Sequence, residues 1–197
     1  LAVAVGDVSG KGIPGSMVMS MVKTILRYEM ARKTDILDVL RTMNAALLRD
    51  TKPDTYVTLM IVVLPITSPR AGVIYASAGH EPLLVRRASG KVEEFRGPGL
   101  PVGLMAPPIF DAELAIGEIA EFAPGDTIVL TTDGVPDAVD AEGNVFTRDR
   151  LAATLTRGGS APTDATAVLR GLEGELRLHV GAAEQADDVT VVAVSRI

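Results

Sequence analysis

The 197-residue chain contains no cysteine. This absence excludes disulfide bonds, thiolate metal sites and cysteine nucleophiles, and it fits a cytoplasmic location. Long apolar runs are missing as well, because the apolar segment at residues 56–66 is interrupted by Pro65. That segment falls short of the roughly 18–20 residues that span a bilayer. We therefore expect no membrane contact from this domain.

Positive charge is also scarce. The chain has 19 Lys and Arg residues against 25 Asp and Glu residues, which gives a net charge of −6. Such a balance argues against nucleic acid as a partner. Hydrophobic residues make up 47% of the chain, enough for a large core, and the length fits one domain. Because the sequence opens on the strand-like LAVAV without an initiator Met, we interpret residues 1–197 as a single domain cut at its N-terminal edge.

Hydrophobic periodicity separates helices near both ends from a β-rich middle. Helices are predicted at residues 15–32, from Asp35 to the break at Pro53, and at residues 151–155 and 161–178. Strands are predicted at residues 1–5, 56–64, 72–77, 82–87, 91–95, 109–116, 119–122, 127–131 and 189–194. This arrangement indicates an α+β fold whose sheets are covered by helices.

Three short acidic motifs stand beside predicted strands: GDVSGKG at residues 6–12, TTDG at 131–134 and DDVT at 187–190. Each motif places an Asp at the end of a hydrophobic strand. Mg²⁺ and Mn²⁺ prefer carboxylate oxygens, backbone carbonyls and water as ligands. Three such carboxylates brought together would form a divalent metal site, which points to metal-assisted hydrolysis.

Each motif taken alone has a plainer interpretation. Asp7 could be a turn residue or a helix cap, Asp133 could belong to an ordinary Asp-Gly turn, and residues 187–188 could lie in a solvated loop. A phosphate-binding P-loop at residues 6–12 is rejected, because one spacer residue is missing and Gly12 follows the lysine.

Taken together, the motifs resemble those of a known family, the metal-dependent protein phosphatases of the protein phosphatase 2C type. Within that family the chain looks like the SpoIIE-type branch, serine phosphatases of sigma-factor regulation. The matching segments occur in order along almost the whole chain. They are GDVSGKGIP at residues 6–14, YVTL at 56–59, SAGHEP at 77–82, GLPVG at 99–103, TDGV at 132–135 and DDVT at 187–190.

The resemblance implies a four-layer α-β-β-α sandwich, in which two antiparallel sheets are flanked by helices. It also implies a dinuclear Mn²⁺ or Mg²⁺ centre that activates a hydroxide for attack on phosphoserine or phosphothreonine. In that centre Asp7 would bridge both metals, the Val8 carbonyl would bind one, and Asp133 would be a ligand of the first. Asp187 would be the final ligand and Asp188 an alternative. Asp7, Asp133 and Asp187 are thus the implied catalytic residues.

The resemblance implies partners too. The substrate would be a phosphorylated STAS-type antagonist of an anti-sigma factor, and a sensor or receiver domain would precede the phosphatase domain in the full-length protein. A homodimer is compatible with the sequence. In the family a further acidic motif upstream supplies a ligand of the second metal, and we expect it to lie before residue 1.

Two other functions are left open by the sequence. In the first, the same fold is a catalytically silent signalling module that only binds a partner. In the second, the domain is a metal-dependent hydrolase of small phosphoesters or nucleotides, although no nucleotide-binding loop supports it.

Several other polar residues receive structural interpretations. His80 is predicted to hydrogen-bond at a turn rather than to act as a general acid. His179 is predicted to cap a helix end or lie on the surface, and Arg86 and Arg87 to lie on a strand surface. Residues 140–144 are predicted to form a plain turn rather than a calcium loop.

Overall fold

The computed structural model describes residues 1–32, 35–66, 72–157 and 164–197. These residues form two compact units. The first unit contains Leu1–Ile66, Gly72–His80 and Arg96–Ala120, and the second contains Glu81–Phe95 and Glu121–Ile197. Among the helices in the described ranges, none combines the length and apolarity needed to cross a membrane.

The first unit is built on a four-stranded antiparallel sheet. Its strands are β1 (Ala2–Val8), β2 (Val57–Val63), β3 (Val73–Ala78) and, sixth in the chain, β6 (Gly117–Ile119), in the order β1-β2-β3-β6. Three helices accompany it: α1 (Gly12–Met30), α2 (Ile36–Asp50) and α3 (Pro107–Glu113). In the register of β1 with β2, Asp7 lies opposite Thr58.

The second unit contains the other four-stranded antiparallel sheet. Its strands are β4 (Leu83–Arg86), β5 (Val92–Phe95), β7 (Thr127–Thr131) and β8 (Val191–Ser195), in the order β5-β4-β7-β8. Its helices are α4 (Arg148–Thr156) and α5 (Ala165–Val180). The register pairs Thr131 with Val191, so the end of β7 meets the start of β8.

The core of the first unit forms where α2 packs on the sheet. Asp35 caps this helix by accepting a hydrogen bond from Leu37 N at 2.8 Å, as the sequence predicted. The buried stripe of α2 contains Ile36, Val39, Leu40, Met43 and Leu47, and it belongs to one cluster with Val57, Leu59 and Ile61 of β2. Each fully buried side chain of this kind stabilises the fold by about 1.5–3 kcal/mol.

The core of the second unit forms between its two helices and the sheet. Leu151 and Leu155 of α4 and Leu172 of α5 join Val129 of β7 and the fully buried Phe146 in a single cluster. Asp164 caps α5 by accepting from Ala167 N at 2.7 Å. The predicted helix at residues 161–178 begins at positions that lie outside the described residues, and its described part is confirmed.

Three predicted elements differ from the structure. The strand predicted at residues 119–122 is displaced, since only Ile119 of that segment lies in a strand, β6. The strand predicted at residues 109–116 is wrong, because this segment falls mostly in α3. That helix starts with two prolines, which suit the first helical turn because their missing N–H groups would have no helical partner there. The loop predicted at residues 6–12 is shorter than expected, since β1 continues through Val8.

Two surface predictions are also wrong. Arg86 is only 1% exposed, and its Nε donates to Leu155 O at 3.0 Å. His179 is buried at the end of α5, where Arg150 Nη1 lies 2.7 Å from its Nδ1 and Asn144 O lies 3.1 Å from its Nε2. Both side chains serve to join elements of the second unit. The turn at residues 140–144 is confirmed, because Asp140 Oδ1 accepts from Asn144 N at 2.8 Å.

Candidate active site

The junction of β7 and β8 positions two of the predicted acidic residues. Thr132, just after β7, accepts at Oγ1 from Thr190 N at 3.0 Å and donates from Oγ1 to Asp188 O at 3.0 Å. Its own N–H donates to Thr190 O at 3.1 Å. This hydroxyl and backbone network ties the turn that carries Asp133 to the segment that carries Asp187 and Asp188.

Gly134 makes this close approach of the two segments possible. A Cβ atom at this position would lie 2.3 Å from the backbone oxygen of Asp188, a distance that no side chain tolerates. Glycine at position 134 is therefore required by packing between two chain segments. Its φ angle is not in the left-handed region.

Asp133 is half-buried and surrounded by other acidic groups. Burial raises the pKa of its carboxyl above the ordinary value, and the neighbouring Asp187, Asp137 and Glu81 carboxylates raise it further. The backbone N–H of Gly134 hydrogen-bonds to the carboxylate and partly offsets this increase. Since the ionised form is disfavoured here, a cation beside Asp133 would relieve the repulsion.

Asp133 and Asp187 line the same cavity, which has a volume of about 640 Å³ and lies wholly in the second unit. Asp137, four residues after Asp133, lines it as well, and its N–H donates to Asp133 O at 2.9 Å. Asp188 is not among the residues that line the cavity. The structure therefore brings two of the three predicted acidic residues, Asp133 and Asp187, to one cavity.

Asp187 and Asp188 differ in how they are held. Asp187 Oδ1 accepts from Asp188 N at 2.9 Å, and Asp187 O accepts from Gln185 Nε2 at 2.7 Å. Both bonds orient Asp187 within its loop. The backbone oxygen of Asp188 is taken by Thr132, while its side chain is exposed.

Asp7 and Val8 lie at the end of β1 in the first unit, and both are half-buried. The chain leaves β1 in a tight loop, in which Ser9 N donates to Tyr56 O at 2.9 Å and Tyr56 N donates to Ser9 Oγ at 2.8 Å. A Cβ at Gly15 would lie 2.7 Å from Gly10 O, so the first turn of α1 packs directly against this loop. The backbone around Asp7 is therefore well supported.

His80 lies near the same part of the first unit. Its Nδ1 is 2.8 Å from Thr58 Oγ1, and its N–H donates to Ser77 Oγ at 3.3 Å. The predicted structural role of His80 agrees with these contacts. Ser77 supplies the side chain that accepts from the turn.

Two polar residues near Asp133 were not predicted from the motifs. Arg148 donates to Glu81 through two parallel bonds, Nε to Oε2 at 2.8 Å and Nη2 to Oε1 at 2.7 Å. Such a bidentate pair is geometrically specific, and it holds Glu81 where its charge raises the pKa of Asp133. Glu81 lies within the SAGHEP motif, but nothing in the local sequence of Arg148 predicts this pairing.

Divalent metal binding depends on the donors present. Within the described ranges, no group of three or more His, Asp or Glu side chains is arranged so that it could hold a metal ion. Asp133, Asp137 and Asp187 nevertheless share one cavity and offer oxygen donors alone, which is the chemistry that Mg²⁺ and Mn²⁺ prefer. The chemical type of these donors suits a divalent cation, although the structure does not arrange the three side chains as a metal site.

The fold of the chain is similar to that of solved proteins. It is similar to the SiaA-PP2C domain of Pseudomonas aeruginosa, with 22% identity and a TM-score of 0.79 over 98% of this chain and 75% of that one. It is also similar to the RsbU and RsbW domains of Rv1364c from Mycobacterium tuberculosis, with 22% identity and a TM-score of 0.74 over 99% of this chain and 51% of that one. The fold is therefore the α+β sandwich of PP2C domains, as predicted.

The family follows from the whole sequence. The family model of Stage II sporulation protein E (SpoIIE) matches residues 1–197, so the chain belongs to the SpoIIE family of PP2C-type phosphatase domains. A curated relative, Protein IcfG from Synechocystis sp. (strain ATCC 27184 / PCC 6803 / Kazusa), is 29% identical over 223 residues. The match covers 100% of this chain and 34% of that protein, so the chain spans about a third of the relative's length.

Proposed function

We propose that this chain is a metal-dependent protein serine/threonine phosphatase acting on phosphoserine of a regulatory protein. The observation that carries the proposal is the convergence of Asp133 and Asp187 on one cavity, where burial and mutual repulsion disfavour the ionised form of Asp133. Membership of the SpoIIE family supports the reaction class. The domain would act in the cytoplasm.

The proposed metal ligands are Asp7, the Val8 carbonyl, Asp133 and Asp187, with Asp188 as an alternative, and the metal is Mn²⁺ or Mg²⁺. RsbX, whose structure has the same fold (TM-score 0.66, 15% identity, 98% of this chain and 79% of that one), is in complex with magnesium. Two bound ions would lower the pKa of a water molecule and offset charge on the transferred phosphoryl group. Asp133 and Asp187 would hold such ions rigidly, because the Thr132 network fixes both segments.

The proposed substrate is a phosphorylated STAS-type protein. The Rv1364c structure contains an RsbW domain beside an RsbU domain, which supports a role in a regulatory system of several modules. The greater length of Protein IcfG supports a further domain, of sensor or receiver type, in the same polypeptide. The phosphatase domain would then be one part of a signalling protein.

Phosphate release from a phosphoserine STAS-type protein tests the proposal. We expect release with Mn²⁺ that is abolished in Asp7→Ala and in Asp187→Asn but retained in Asp111→Asn, an exposed aspartate of α3 that serves as the matched control. Asp188→Asn should lose much less activity than Asp187→Asn. Absence of release at all metal concentrations, both from the folded wild-type chain and from a chain extended upstream to include the further acidic motif, would reject the enzyme and favour the silent signalling module.

A further inference from the structure

The cavity beside Asp133 is larger than a phosphate group or a metal centre requires. Its volume of about 640 Å³ lies in the range of sites that enclose a small organic molecule or a short peptide segment. It is formed by the turn after Asp133, the last turns of α5 and residues 181–189 ahead of β8. Most of this space remains after Asp133 and Asp187 are assigned to the metal site.

The walls of the cavity are mostly apolar. They include Val139 after the Asp133 turn, Leu176 and Val180 of α5, and Val189 before β8. Leu176 also packs against the buried core of the second unit, so this wall rests on a fixed support. Such a surface favours hydrocarbon, either an aliphatic side chain or the methylene stem of a longer polar one.

The charge around these walls is strongly negative. Five carboxylates line the cavity, those of Asp133, Asp137, Glu173, Glu184 and Asp187, against one guanidinium, that of Arg177. Arg177 Nη2 lies 2.8 Å from Glu173 Oε1, so the positive charge of Arg177 is already paired with a carboxylate of α5. Even with metal ions offsetting Asp133 and Asp187, the exposed carboxylates of Asp137 and Glu184 remain.

We infer that this cavity is a docking site for a basic segment of the phosphoprotein substrate, with a Lys or Arg close in sequence to the phosphoserine. This inference rests on the proposed function and specifies which kind of substrate segment the phosphatase recognises. The methylene stem of the basic residue lies on Leu176 and Val180, and its cationic end faces Asp137 and Glu184. An acidic segment is repelled by the same carboxylates, so charge complementarity selects the occupant.

Matched phosphopeptides test the inference. We would compare dodecapeptides that carry one phosphoserine and differ at a single position, occupied by Lys, Gln, Leu or Glu and moved from four residues before to four residues after the phosphoserine. For at least one position we expect kcat/KM of the Lys peptide to exceed that of the Gln peptide at least 5-fold, with the Glu peptide lowest. Equal values for Lys, Gln and Glu at every position would overturn the inference.

A charge-reversal variant locates the preference in the cavity. In Glu184→Lys we expect the Lys-to-Gln ratio of kcat/KM to fall to about one. Glu142→Lys makes the same charge change at an exposed position outside the cavity and should keep the wild-type ratio. A ratio undiminished in Glu184→Lys, or a preference for Leu over Lys that this variant leaves unchanged, would show that charge in the cavity does not select the substrate.

A binding measurement separates this inference from the proposed catalytic activity. Fluorescence anisotropy of fluorescein-labelled versions of the same peptides needs no turnover. If no peptide is hydrolysed but the Lys peptide binds at least 5-fold more tightly than the Gln peptide, and Glu184→Lys removes that difference, the docking site stands while the phosphatase proposal fails. Equal affinity of all peptides would reject the docking site itself.

Discussion

Two aspartates flank strand β7, and their surroundings differ completely. Asp126, just before the strand, is 4% exposed, and its carboxylate accepts from Ala88 N at 2.9 Å, Ala123 N at 3.0 Å and Arg87 Nη1 at 3.0 Å. Asp133, just after the strand, faces other carboxylates and an open cavity. The first carboxylate is satisfied by the protein, whereas the second is left for a ligand to satisfy.

The difference separates a carboxylate that the protein itself engages from one that faces like charges and a cavity. The two residues lie just beyond opposite ends of β7. Asp126 follows the turn at residues 124–125, and Asp133 begins the turn after the strand. The groups around them differ: hydrogen-bond donors surround Asp126, whereas Asp133 has the N–H of Gly134 but otherwise faces carboxylates. Substitutions at the two positions should therefore affect different properties of the protein.

The largest expected effect is on activity, from Asp133→Asn. If Asp133 is a metal ligand, Mn²⁺-dependent phosphate release should fall by about 10³-fold, which corresponds to about 4 kcal/mol of transition-state stabilisation. The melting temperature without metal should stay the same or rise slightly, because the substitution removes a carboxylate that its neighbours repel. A clear loss of stability in the absence of metal, measured by calorimetry, would show that Asp133 has a structural role, as Asp126 does.

The next effect is on the turn that presents Asp133. Gly134→Ala should destabilise the protein by about 3 kcal/mol or more, because the added Cβ meets the backbone oxygen of Asp188 at 2.3 Å. Gly171→Ala in α5 is the matched control, since nothing lies within 4 Å of its added Cβ. That control should stabilise by about 0.5–1 kcal/mol through helix propensity. Urea denaturation of both variants measures this, and equal effects would refute the packing argument.

Asp126→Ala should reduce the stability of the protein without changing its catalytic rate. The substitution leaves two backbone N–H groups without their acceptor and removes one partner of Arg87, whose Nε still donates to Glu93 at 2.8 Å. We expect a loss of about 2–4 kcal/mol in the free energy of unfolding. Under conditions where the variant is fully folded, kcat should be unchanged. A variant of normal stability with low kcat would reverse the roles assigned to the two aspartates.

The smallest effect concerns the hydroxyl of Thr132. Thr132→Val removes one acceptor and one donor from the buried junction of β7 and β8, and should cost about 1–2 kcal/mol. Because the junction then holds Asp187 less firmly, the concentration of Mn²⁺ needed for half-maximal activity should rise. Thr132→Ser keeps the hydroxyl and should restore Mn²⁺ affinity, as titration of activity would show. Equal Mn²⁺ requirements in both variants would mean that this network does not support the site.

The residues around β7 also show which features of the site could be predicted from the sequence. The TTDG and DDVT motifs predicted Asp133 and Asp187, because a strand-end Asp beside Gly or a second Asp is a short local pattern. The Glu81–Arg148 pair joins positions 67 residues apart and has no such pattern. The α2 cap at Asp35 was predictable for the same local reason, while α3 was missed because its apolar residues suit a strand as well as a helix.

The sequence by itself determined the α+β class, most of the strands and helices, and the acidic motifs of the SpoIIE family, since these depend on periodicity and on neighbours along the chain. Only the tertiary structure decided which carboxylates share a cavity, why Gly134 must be glycine, and that Arg86 and His179 are buried. Those properties depend on packing between segments far apart in sequence. Burial and the charges of distant residues, rather than residue type, make Asp126 structural and leave Asp133 open to a cation.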